Sequence, residues 1–296
     1  MRRWYVIGAP YLWLLLFFLV PFFIVFKISL SDIATAIPPY TPTLELAAGW
    51  DGIKTFLSQL DTENYTFIAS DPLYVDAYWS SVQIAGIATF ITLLVAYPIA
   101  YGMARAPKDW QATLMMLVIL PFWTSFLIRV YAWMGILKKE GLLNLFLMNM
   151  GLINEPLTIL NTTTAVYIGI VYSYLPFMIL PLYSSLEKIK PSLIEAAEDL
   201  GSPPWKAFWQ ITFPLSLPGI FAGCLLVFIP AVGEFVIPDL LGGSDTLMIG
   251  KTLWSEFFNN RDWPVSSAVA VVLLFVLILP IVLFQRMQQR QQEAGI

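Results

Sequence analysis

The residues best equipped for chemistry sit in three places. Arg129, Glu234 and Asp239 interrupt otherwise apolar stretches. Glu195, Glu198 and Asp199 share a short charged segment with Ala196, Ala197 and Gly201. Gly250-Lys-Thr252 closes a segment, from Asp245, with the outline of a phosphate loop. An ionisable group in apolar surroundings is costly, so each is a functional candidate by default. The chemistry on offer is recognition of charge. Glu234 and Asp239, five residues apart around Pro238, offer carboxylates to a passing polycation, assisted by the aromatic faces of Tyr131, Trp133 or Phe235. The structural alternative is a mutual ion pair between Arg129 and Glu234, and Glu234 could serve both ends. His-based acid-base catalysis and Cys/His metal sites are excluded, because the chain has no histidine and one cysteine, Cys224, inside an apolar run. The phosphate-loop outline fails at its first glycine, replaced by Asp245, whose charge repels phosphate. No catalytic residue, metal site or bound cofactor is expected in this chain.

The elements that must carry these residues are membrane helices. Of 296 residues, 58% are hydrophobic and 12% charged, half the charge of an ordinary soluble domain. A span needs about 20 apolar residues, and the gaps between charges supply six: Trp4 to Phe26, Ala77 to Ala104, Trp110 to Ile128 (continuing past Arg129 to Leu137), Pro156 to Leu186, Ala207 to Gly233, and Trp263 to Gln285. The expectation is an all-α polytopic membrane protein with six transmembrane helices. Residues 1–29 form the first, 30–76 an acidic outer loop, 77–286 a core of five helices, and 287–296 a tail. Nothing in it resembles a nucleic-acid-binding face.

Positive charge sets the orientation. With the N-terminus inside, the inner segments hold nine basic residues: Arg2, Arg3, Arg105, Lys108, Lys188, Lys190, Lys206, Arg286 and Arg290. The outer loops hold five: Lys54, Lys138, Lys139, Lys251 and Arg261; Lys27 lies at the border. The first outer loop carries Asp32, Glu45, Asp51, Asp61, Glu63, Asp71 and Asp76 against Lys54. Both termini are expected in the cytoplasm. Met-Arg-Arg before an apolar stretch also has the outline of a signal peptide, but its run exceeds a signal core of about 7–15 residues, so an uncleaved helix is expected. If helical, Arg129 lies about 12 Å and Glu234 about 9 Å below the outer ends of their spans.

One sizeable inner loop remains, residues 187–214. Ser192 and Glu195 have capping-box spacing, Gly201 suits a helix C-terminus, and Pro203-Pro204 blocks continuation. The pattern predicts a short helix, a glycine turn, and a second helix passing Trp205 and Ile211 into the next span. Glu195, Glu198 and Asp199 share a face, and Ala196 and Ala197 permit close approach. The alternative is a solvated connector.

The run Glu195-Ala196-Ala197, then Gly201, Ile211 and Pro214, resembles the Glu-Ala-Ala loop of permease subunits in binding-protein-dependent ATP-binding-cassette (ABC) importers; Phe213 replaces the usual leucine before that proline. The resemblance covers roughly residues 77–286. Pro121-Phe-Trp-Thr-Ser-Phe-Leu-Ile-Arg-Val-Tyr-Ala-Trp133, Ala231-Val-Gly-Glu-Phe-Val-Ile-Pro-Asp-Leu-Leu-Gly-Gly243 and Glu256-Phe-Phe-Asn-Asn-Arg-Asp-Trp-Pro264 are similar to its polyamine branch, nearest to putrescine importer permeases. It implies a type I importer permease fold in the bacterial inner membrane, with 187–214 as the coupling loop received by an ATPase subunit that binds the ATP and Mg. It further implies a second homologous permease subunit, two ATPase subunits and a periplasmic polyamine-binding protein, with putrescine the preferred cargo and spermidine the second candidate. An importer of another small solute, or a secondary transporter, is the rival; the latter needs paired repeats, and the chain shows none.

Overall fold

The structure is a computed structural model that describes residues 2–43, 49–244 and 246–293. Glu45 and Asp245 lie outside the described residues, as do 294–296 of the expected tail. The described chain is helical apart from one two-stranded antiparallel hairpin, in which Asp32 pairs with Thr41 and Ile33 with Tyr40. Five helical stretches are long and apolar enough to cross a membrane: Ile7–Ile28, Pro72–Arg105, Thr163–Leu186, Pro204–Val232 and Trp263–Val282. Among the described residues a further pair, Lys108–Trp123 and Phe126–Asn149, passes the same test only when taken together and is bent by 88° at its junction, the geometry of a broken span or a re-entrant loop.

A proline inside the apolar run from Trp110 to Leu137 leads one to expect a kink, and the bend at Pro121 is sharper than a kink. Pro121 has no N–H and its ring crowds the carbonyl of the preceding turn. The chain tightens into a 3₁₀ turn, Leu120–Trp123, then becomes extended at Thr124 (φ −99°, ψ 151°) before helix resumes at Phe126. The fourth span is also shorter than the apolar run beginning at Pro156. Asn161 adopts a left-handed φ of 64°, and Thr162 caps the helix by accepting the Ala165 amide at 3.4 Å, so the helix starts at Thr163. The expected tail continues the last helix to Glu293.

The chain divides into two compact units. The first comprises residues 1–78 and 249–278. Its N-terminal helix is largely bare: Tyr11, Leu12, Trp13 and Phe18 are exposed, as suits a lipid-facing surface. Where this helix ends, Lys27 Nζ donates to the Pro42 carbonyl at 2.6 Å and lies over the Tyr40 ring. Asn64 donates to the carbonyls of Ser29 and Ser31. The acidic segment that follows carries the helices Gly49–Ser58 and Glu63–Ser70.

The second unit comprises residues 79–248 and 279–296. At its centre the Thr163–Leu186 helix packs along the Phe213–Val232 helix, burying Met178, Ile179, Leu182, Leu186, Ile220 and Val227 together with Ala96 and Ala100. Two glycines permit this approach. A Cβ at Gly219 would lie 2.6 Å from Ser185 Oγ and 2.7 Å from the Pro181 carbonyl; one at Gly223 would lie 2.7 Å from Met178 Sδ. Glycines four residues apart on one helix face are a common close-packing device between membrane helices, where apolar burial itself gives little drive. Gly219→Leu and Gly223→Leu should each destabilise the detergent-purified chain by about 1–3 kcal/mol, read as a lowered thermal unfolding midpoint. Gly102→Ala, whose Cβ meets nothing within 4 Å, should leave that midpoint unchanged or slightly raised.

Candidate functional site

The 187–214 loop is built between the ends of the two central helices. Its first helix is Pro191–Asp199. The expected capping box is not formed: Lys190 is the N-cap, without a side-chain cap bond, and Ser192 lies inside the first turn. Pro191 displaces it, since its fixed φ suits the first helical position and it lacks an amide that would need a partner. The C-terminus follows expectation closely. Gly201 adopts φ 82°, its amide donates to Glu198 O at 2.8 Å, and the Ser202 amide donates to Ala197 O at 2.9 Å. Those two bonds make a Schellman motif, which ends the helix and reverses the chain.

The second helix starts at Pro204, passes through a π turn at Phe208–Thr212 containing Ile211, and continues into the span from Phe213. Phe208 anchors it edge-on between Tyr97 and Tyr101, at 5.7 and 6.1 Å. Glu195, Ala196, Glu198, Asp199, Gly201 and Pro214 are exposed, and Ala197 is half-buried. Leu200, 87% exposed, and Trp205, 68% exposed, add bare apolar surface. The loop is thus a rigid two-helix knob whose charged face and apolar rim are unpartnered within the described residues.

The residues expected along a solute path are arranged differently from the sequence expectation. Glu234 and Asp239 do not share a helix: the span ends at Gly233, and a short helix, Val236–Leu240, follows. Glu234 occupies the break and is 8% exposed. Its Oε1 accepts the amides of Phe235 and Val236 at 3.2 and 3.0 Å and, more distantly, that of Ile237. Its Oε2 accepts the Tyr174 hydroxyl. Glu234 therefore caps a helix N-terminus, where a carboxylate is doubly favoured by free amides and by the helix dipole.

Asp239 is exposed on the short helix, and Tyr131 is exposed; Phe235 is half-buried. Trp133 packs edge-on against Tyr172 at 5.4 Å. The ion pair between Arg129 and Glu234 is not formed; Glu234 is held instead by backbone amides and by Tyr174. Arg129 lies 5.6 Å from the Phe122 ring and 5.8 Å from that of Phe126, and its Nε and Nη1 have no hydrogen-bond acceptor. The depth count that paired them assumed helices running along one axis, whereas the third apolar run bends before Arg129 and the fifth breaks at Glu234.

Sequence reasoning overlooked three participants. Tyr174 carries no signal in an apolar, tyrosine-rich helix. Phe208 is likewise one aromatic among many. The Gly219-x-x-x-Gly223 spacing, by contrast, was legible in the sequence. As for cofactors, Gly250 and Thr252 of the phosphate-loop look-alike are buried. One trio of carboxylates, Asp32, Asp61 and Glu63, brings ligand atoms within 4.8 Å, but all three are exposed and Asp61 already accepts the Glu63 amide.

Residues 89–293 match the family described as binding-protein-dependent transport system inner membrane component. The spermidine/putrescine transport system permease protein PotB of Haemophilus influenzae is 45% identical over 236 residues, covering 80% of this chain and 82% of its own. That of Escherichia coli is 44% identical over 224 residues, covering 76% and 81%. Among solved structures, a bacterial ABC transporter involved in import of the acidic polysaccharide alginate superposes with a TM-score of 0.69 at 14% identity, covering 98% of this chain and 96% of that one. The MetNI methionine ABC transporter gives 0.55 at 18%, covering 74% and 95%; at such identities the likeness concerns the fold. A multi-pass helical architecture, a knob-shaped loop between the paired central helices, and a family match over more than two thirds of its length make this chain a member of the binding-protein-dependent transport system inner membrane components, the non-catalytic permease subunits of ABC importers.

Proposed function

We propose that this chain is the permease subunit of an ATP-driven importer that moves a polyamine, putrescine in preference to spermidine, from periplasm to cytoplasm. Identity of 45% to a spermidine/putrescine permease over most of both chains carries the substrate class. The acidic outer segment and exposed Asp239 suit a polycation, which carboxylates attract. In this reading both termini are cytoplasmic, by the excess of inner lysine and arginine. A second homologous permease subunit completes the path, a periplasmic polyamine-binding protein delivers cargo, and two ATPase subunits bind ATP and Mg.

The Pro191–Asp199 helix is the part an ATPase subunit would grip. Its Schellman turn fixes the helix relative to the span that follows, so that force applied to the helix reaches Phe213–Val232 without being absorbed by a slack loop. Small Ala196 and Ala197 allow close docking, while Glu195, Glu198 and Asp199 offer charge to a basic partner surface. Residues Ile211 and Pro214 join the knob to the span.

Two experiments test these assignments. Gly201→Val forces a β-branched residue into a left-handed conformation, a penalty of about 1–2 kcal/mol applied at the turn. Together with Glu195→Lys it should cut substrate-stimulated ATP hydrolysis by the reconstituted complex at least tenfold and release the ATPase subunit on co-purification. Retention of both properties would remove the coupling role.

Asp239→Asn should raise the putrescine concentration for half-maximal uptake by about tenfold, the loss of one partly screened charge contact. Glu234→Gln acts differently, since it removes a charged cap. It should lower stability by about 1.5–3 kcal/mol, and any transport defect should appear with that loss. Unchanged uptake by Asp239→Asn would sink its place on the path, and equal stimulation by an unrelated solute would sink the polyamine assignment.

A further inference from the structure

Beside the inner ends of the central helices lies an open groove of about 510 Å³, lined by Ser185, Lys188, Ile189, Lys190, Leu193, Leu215 and Pro218. Its two walls differ in chemistry. Leu215 and Pro218 are exposed on the Pro204–Val232 segment, and Ile189 closes the floor at 6% exposure. Lys188 and Lys190 are both exposed at the other side, and neither has an ion-pair partner among the described residues.

We infer that this groove binds one anionic phospholipid of the inner leaflet, its phosphate between Lys188 and Lys190 and an acyl chain along Leu215 and Pro218. The inference stands whichever solute is carried and rests on the cytoplasmic placement of the 187–214 loop.

Length supports the placement of the groove. The Pro204–Val232 segment has 29 residues, roughly 43 Å of helix, against about 30 Å of hydrocarbon. The 20 residues of Phe213–Val232 cover that thickness by themselves, which leaves the turns before them to the headgroup layer, with Leu215 and Pro218 just inside the hydrocarbon edge. A soluble ATPase subunit stays beyond the headgroups and cannot reach those two residues, whereas an acyl chain can. Lysines near a lipid interface reach the phosphates through flexible apolar stems, and basic pockets beside membrane helices on the cytoplasmic side suit anionic headgroups. Leu193, 45% exposed, places the occupant against the first helix of the knob. A bound lipid would thus touch both the span and the helix that transmits force to it.

The test uses the assembled complex in nanodiscs of phosphatidylcholine with or without phosphatidylglycerol, and counts retained lipids by native mass spectrometry. Each lysine is expected to contribute about fivefold to retention, so Lys188→Gln/Lys190→Gln should lower phosphatidylglycerol retention roughly twenty- to thirtyfold. Phosphatidylcholine should be unaffected, Lys188→Arg/Lys190→Arg should retain the lipid, and glycerol phosphate alone should not displace it. As an independent measurement, a photoreactive side chain introduced at Leu215 should cross-link phosphatidylglycerol in preference to phosphatidylcholine. Unchanged retention in the glutamine pair, cross-linking without headgroup preference, or loss of the ATPase subunit with lipid retained would each overturn the inference. The last outcome would assign the lysines to a protein interface. None of these readouts involves transport, so a wrong solute assignment would leave them unaltered.

Discussion

The contact on which the rest of the second unit depends is the approach of two backbones at Gly219 and Gly223. In lipid, leucine gains little by facing leucine rather than an acyl chain, so helix pairs are held by dispersion at close range and by hydrogen bonds. The Cβ positions at both glycines are already occupied by Ser185, Pro181 and Met178, which means the helices could not be this close with any other residue there. Their closeness fixes the separation of Leu186 and Phe213, the points from which the inner loop departs. A knob with a Schellman turn and an aromatic anchor at Phe208 is rigid only because its two attachment points are.

Proline is the second organising element, and its effect depends on what replaces the lost bonds. At Pro121 the chain breaks completely and turns by 88°. Pro176 and Pro181, by contrast, lie within the Thr163–Leu186 helix without ending it. At the Gly233–Phe235 break the freed amides are taken by Glu234, and at the start of Thr163–Leu186 by Thr162. The turn near Arg105 is closed by Gln111, which donates to the carbonyl of Ala106 at 3.0 Å and accepts from Tyr183 at 3.3 Å. Backbone left bare in hydrocarbon costs several kcal/mol per group, so each break carries its own side-chain acceptor or donor.

This explains what was legible in the sequence and what was not. The number of apolar runs and the location of one charged inner loop follow from spacing alone, because the bilayer demands length and the charges interrupt it. Gly201 was legible because left-handed backbone selects glycine. Ser192 was misjudged because two residues compete for helix initiation and the sequence cannot rank a capping hydroxyl against a proline one position earlier. A kink at Pro121 was to be expected of a proline inside a span, but the size of the turn was not, because hydropathy averages over it. Glu234 was correctly singled out as costly to bury, yet its partners, three amides and Tyr174, come from backbone geometry and from a helix 60 residues away, neither of which leaves a trace in local pattern.

The arrangement at Glu234 bears on how a membrane carboxylate should be interpreted. A buried carboxylate that accepts helix amides and a phenol hydroxyl has its oxygens engaged by groups that carry no net charge, so its hydrogen bonding needs no basic side chain. Arg129 illustrates the converse. Its guanidinium rests on the faces of Phe122 and Phe126, which attract a cation but satisfy none of its N–H groups. Arg129 lies beyond the bend at Pro121 and Glu234 at the break after Val232, so depth counted along straight helices does not bring the two together. An acid satisfied by amides holds the fold at its break, and the bare number of acids in the segment does not distinguish it from Asp239, which is exposed on the helix that follows.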